Sequence, residues 1–132
     1  MKLTGILAAV AVAGVFNVSQ AQADVAGAEL YADYCAACHG VAGKGDGDMA
    51  NVITIPSPNL TLLAKNNDGE FPMLRVIHTI DGRTGLRSHG SVMPIFGKTF
   101  SGQSQDLGYG EVLMTRGRVL SLAMYLESIQ AQ

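Results

Sequence analysis

Val119, Leu122, Ala123, Leu126 and Ile129 recur at offsets of 0, 3, 4, 7 and 10, the apolar stripe of an amphipathic helix. The spacing predicts a terminal helix over about Glu111 to Ile129, with Gly117 weakening its first half. A second stripe of Gly27, Leu30, Tyr31, Tyr34 and Cys38 predicts a helix from about Val25 to Ala37, capped by Asp24 and ended near Gly40. Two shorter helices are predicted between them. One runs from Leu60 to about Lys65 behind the cap Asn59, and the other from Phe71 to Ile80, with Pro72 in its first turn and Asp81-Gly82 as its stop. The remaining stretches read as connections. Gly43, Gly45 and Gly47 make a solvated loop through about Ala50, and the prolines of Ile55-Pro56-Ser57-Pro58 forbid a helix there. Asn66 to Gly69 is a turn, and residues 83–97 hold three glycines, Pro94 and no apolar period, a long loop of the kind that often carries function. With no strand-like alternation and no internal repeat, the fold class is all-α.

The N-terminus changes the picture of what folds. Met1-Lys2 gives a short positive start, Leu3 to Val18 is an apolar run, and Ala21-Gln22-Ala23 is a small-x-small cleavage site before Asp24. This layout predicts a secretory signal peptide over residues 1–23 and one mature domain over residues 24–132. The run is short for a membrane span, which needs about 20 residues, so no stable membrane insertion is expected after cleavage; a retained signal acting as an anchor is the alternative. The expected compartment is the periplasm. The chain carries 9 Lys and Arg against 11 Asp and Glu, and loss of Lys2 with the leader leaves 8 against 11. That balance argues against nucleic acid or an anionic membrane as partner and against a uniformly basic docking face, leaving open a local patch at Lys44, Lys65 or Lys98.

Candidate chemistry is concentrated in Cys35-Ala36-Ala37-Cys38-His39, a C-x-x-C-H haem-attachment motif. Two thiols add across the two vinyl groups of one haem, and the next residue supplies an imidazole to the iron. Positions three and four apart share a helix face, so Cys35, Cys38 and His39 turn the same way. A thioredoxin-like C-x-x-C would need a β-α-β setting, and a zinc site about four ligands, usually paired; His78 and His89 are the only other histidines. The cofactor expected is therefore one covalent haem c, with His39 as one axial ligand. The sixth iron position goes to Met93, which lies in the long loop before Pro94, between Gly90 and Gly97. His89 is the competing ligand, while Met49, Met73, Met114 and Met124 read as packing or loop residues. Arg83, Arg87 and His89 are candidate partners for haem propionates.

In its order of helix, haem motif, proline loop, Met loop and C-terminal helix, the chain resembles class I monohaem cytochromes c, especially small bacterial periplasmic ones, over residues 24–132. Gly27 and Tyr31 match the glycine-x-x-x-aromatic pattern of the family's first helix, and Leu122 and Tyr125-Leu126 match the last helix that crosses it. The resemblance implies short helices and loops wrapped around one haem. It also implies that the Pro58 carbonyl accepts a hydrogen bond from the proximal His39, with Pro56 as the alternative. Phe96 stands where many relatives have tryptophan after the Met-Pro pair, and packing on the haem is its implied role, without an indole N–H to give. The stretch from His39 to Pro58 is longer than in the compact mitochondrial form, implying an extra surface loop at Gly43 to Thr54. The function implied is single-electron shuttling in the periplasm by a monomeric, non-enzymatic carrier. Its partners would be redox proteins such as a dehydrogenase, an oxidase or a reductase. The alternatives are a haem subunit of a periplasmic dehydrogenase, or a small haem enzyme or sensor with a labile sixth ligand.

Overall fold

Helix α1 (Asn17–Tyr34) is followed by a short α2 (Ala36–His39), then by α3 (Met73–Asp81), α4 (Phe96–Ser101) and α5 (Tyr109–Ser128). Two 3-10 turns, Asp48–Asn51 and Leu60–Leu62, lie between α2 and α3. This computed structural model describes residues 17–83, 93–102 and 108–131, with side chains from residue 25 onward, and among them it has no strand.

The frame is the packing of α1 on α5, the largest contact between elements. Gly27 makes it possible: a Cβ there would overlap the Ser121 carbonyl oxygen and come within 2.7 Å of Tyr125 Cβ. Above that close approach, the Tyr31 and Tyr125 rings lie 5.2 Å apart. Tyr31, Leu122 and Phe100 are the largest fully buried side chains, so the apolar stripes of α1 and α5 meet as their spacing predicts.

Four expectations are corrected. Asp24 is not the N-cap of the first helix, because α1 already runs from Asn17; Val18 to Ala23 contain no glycine or proline, and the helix propagates through them. The loop at Gly43 to Ala50 is not simply solvated. Gly43 and Gly47 are buried, and a Cβ at Gly47 would overlap the Ala37 carbonyl oxygen, so the loop is pressed onto α2. The stretch after Met93 is also more ordered than its composition suggests. Phe96 and Phe100 are buried one turn apart on α4, a helix too short to show a period in sequence. Last, α5 starts at Tyr109 despite Gly117, and Tyr109, Leu113 and Leu120 on its outer side are exposed.

The α4–α5 contact is tied by Arg118, whose Nη1 donates to the Phe100 carbonyl at 3.2 Å while its guanidinium lies 6.0 Å from that ring's centre. Among the described residues, no helix is long and apolar enough to cross a membrane.

Candidate functional site

The helical path continues past Tyr34 through the C-x-x-C-H run. Cys35 N bonds to Tyr31 O at 2.9 Å, His39 N to Cys35 O at 2.9 Å and Gly40 N to Ala36 O at 2.8 Å. Gly40 then ends it at a φ of 80°, a left-handed value that favours glycine. Its carbonyl accepts the buried Tyr31 hydroxyl at 2.7 Å, locking the end of the motif onto α1. Burial first, and then the negative charge that Cys35, Tyr125 and Asp46 would carry, push the Tyr31 hydroxyl up to about 12.

Cys35, Cys38 and His39 border a cavity of about 580 Å³, within the range of small-molecule sites. The segment Ile53 to Pro58, with Leu60 and Leu63, forms a second wall. Val76 and Ile80 of α3 form a third, flanked by Arg75 and Thr79 one turn apart. Met93, Pro94 and Phe96 enter from the Met loop, and Leu122 and Leu126 of α5 close the apolar end. Phe96 also packs edge-on against Tyr34, with ring centres 6.1 Å apart.

His39 is buried, and its Nδ1 lies 3.2 Å from the Pro58 carbonyl oxygen. A carbonyl only accepts, so Nδ1 carries the proton and Nε2 keeps its lone pair. Burial lowers the imidazole's affinity for a second proton, a shift the Pro58 hydrogen bond partly opposes. The neutral ring is the form that binds a metal. Burial also pushes the Cys35 thiol up to about 12, with the charge on Cys38 adding to it. That direction is opposite to the lowered thiol pKa of a redox-active C-x-x-C.

All six residues singled out in the sequence, Cys35, Cys38, His39, Pro58, Met93 and Phe96, border this one cavity. Pro56 borders it too, but the carbonyl bonded to His39 is that of Pro58. His78 is exposed on α3, and Met49 and Met114 are exposed on other elements. Arg83 pairs with Asp81, and Arg87 and His89 lie outside the described residues. Arg75 was missed. It is the one charged side chain bordering the cavity among the described residues, and its signal was its place four residues before Thr79, beside the apolar Val76 and Ile80.

The donors suit a large planar group better than a bare ion. Among the described residues, no three His, Cys, Asp or Glu side chains converge on a point where they could hold a metal. Cys35, Cys38 and His39 instead border one extended, mostly apolar space, a setting that suits haem. Neither a curated protein nor a solved structure matches the chain significantly. The sequence model of cytochrome c matches residues 25–106, a segment that spans the motif and every residue named above except those of α5. The helical frame, the apolar cavity beside the motif and that match agree, and the chain belongs to the cytochrome c family as a class I c-type cytochrome, an electron-transfer protein with covalently bound haem c.

Proposed function

We propose that the chain is a periplasmic carrier of single electrons whose haem iron is held between His39 and Met93. One observation carries this reading: the imidazole of His39 and the thioether of Met93 border the same apolar cavity as the two motif thiols. Haem supplies the reversible one-electron iron couple. The residues supply the rest. Cys35 and Cys38 hold the group through two thioethers, and the Pro58 carbonyl keeps His39 in the tautomer with Nε2 available. The thioether of Met93 favours reduced iron relative to a second imidazole. Ile53, Val76, Phe96 and Leu122 exclude water, and among the described residues Arg75 is the cation at the cavity that a propionate could meet. A closed, two-ligand site keeps geometry nearly constant between oxidation states, which suits a carrier rather than an enzyme. Its contacts with donor and acceptor proteins would be small and brief. Residues 1–23 serve as the export signal in this reading.

The test is the absorption spectrum of the purified holoprotein, oxidised and then reduced, with the mature N-terminus read by mass spectrometry. A weak far-red sulfur-to-iron band in the oxidised form and sharp low-spin reduced bands are expected. A high-spin spectrum would replace the carrier with an enzyme or sensor. A low-spin spectrum without the sulfur band would move the sixth ligand from Met93 to a nitrogen.

A further inference from the structure

Pro58 presents its carbonyl to His39 from a segment with few bonds of its own, the Asn59 cap on Thr61 and the close packing of Gly45 on Ser57 and Pro58 apart. Pro56 and Pro58 have no N–H to give, and the turn that follows, Leu60–Leu62, is only three residues long. On one side Leu60 N bonds to Gly43 O at 2.7 Å. On the other side stands the C-terminal tail. Gln130 Oε1 accepts from Ala64 N at 2.9 Å, and its Nε2 donates to Leu60 O at 2.8 Å and to Leu126 O at 2.6 Å. Ala131 N adds a bond to Thr61 O at 2.8 Å. Both amide hydrogens and the amide oxygen of Gln130 are thus used, and the pattern admits one orientation of the amide. Residues 130 and 131 also lie beyond the segment that the family model matches.

We infer that Gln130 is a positioning residue for the proximal ligand: it clamps the Leu60–Ala64 turn to the end of α5 and so holds the Pro58 carbonyl against His39 Nδ1–H. This rests on the reading of His39 as an iron ligand. Strong donation from Nδ1 makes the ring a better electron donor and favours oxidised iron, so loosening the clamp raises the potential.

The experiment compares the wild-type holoprotein with Gln130→Ala and with the nearly isosteric Gln130→Glu, which removes both donated bonds without a change of volume. Val119→Ala, a cavity variant of α5 away from the haem cavity, serves as the stability control. Two quantities are read: the midpoint potential, and the exchange of His39 Nδ1–H with deuterium followed by NMR. Both Gln130 variants are expected to shift the potential upward and to exchange that proton about tenfold faster, the equivalent of one lost hydrogen bond. Val119→Ala is expected to lower the melting temperature and leave both readouts in place. If the Gln130 variants lower only the melting temperature, the tail is a structural anchor and the inference is overturned. If Gln130→Ala does not retain a folded holoprotein, Gln130→Glu decides by the same two readouts. A failure of the ligand reading is distinguishable: the wild-type His39 ring protons would lack the large upfield shifts of an iron-bound imidazole.

Discussion

Two walls of the cavity are built in different ways. The wall that carries His39 is held by hydrogen bonds on every side. Gly45 N bonds to His39 O at 2.7 Å, the Tyr31 hydroxyl holds Gly40, and Pro58 accepts from the ring. On the wall that carries Met93, the described residues show close packing. A Cβ at Gly82 would overlap Ile95, and one at Gly97 would overlap the Asp81 carboxylate, so Ile95 and the start of α4 are pressed against the end of α3. Hydrogen bonds fix a ring's orientation and tautomer, whereas close packing sets a distance and shuts out solvent. In the proposed carrier, the first duty belongs to the imidazole and the second to the thioether.

The comparison breaks most completely at the motif itself. Replacing Cys35 and Cys38 together by Ala should abolish covalent haem, read as loss of haem staining on a denaturing gel. Met93→Ala attacks the other wall. It should remove the far-red band and lower the potential by tenths of a volt, within the ~0.8 V that axial ligands span, while redox titration and circular dichroism show a folded holoprotein. Gly27→Val tests the frame that holds both walls. Overlap with the Ser121 carbonyl and Tyr125 should cost about 1–3 kcal/mol, read in a urea titration, with the far-red band kept. The smallest effect is expected for Asn59→Ala. Its side chain accepts from Thr61 N at 2.9 Å and from the Thr61 hydroxyl at 2.7 Å, and losing that cap should cost about 1 kcal/mol in the same titration.

Much of this was legible beforehand where one short stretch of chain contains its own reason. The helical path of the C-x-x-C-H run, the Asn59 cap and the stop at Gly82 each depend on residues within a turn of one another, although Asn59 caps a 3-10 turn over Leu60–Leu62 and not the helix to about Lys65 that the spacing predicts. The α1–α5 crossing was legible through resemblance, with Gly27 and Tyr31 facing Ser121 and Tyr125. What was misread depends on distant neighbours. The glycines after the motif looked like solvated punctuation, yet Gly47 is buried because the Ala37 backbone lies against it. Arg75 belongs to no motif, and only the fold sets it at the cavity. Gln130 stands at the end of an amphipathic helix, and nothing near it in sequence points to Ala64.

By itself, the sequence determined the fold class, the cofactor and the covalent attachment, because helical period and motif spacing act over a few residues and need no partner. Only the tertiary structure decided which proline carbonyl meets His39, which cation borders the cavity and how the C-terminal tail reaches the proline segment. Those contacts join residues 19 and 70 positions apart, and separations of that size are closed by packing of the whole domain, which no local pattern encodes.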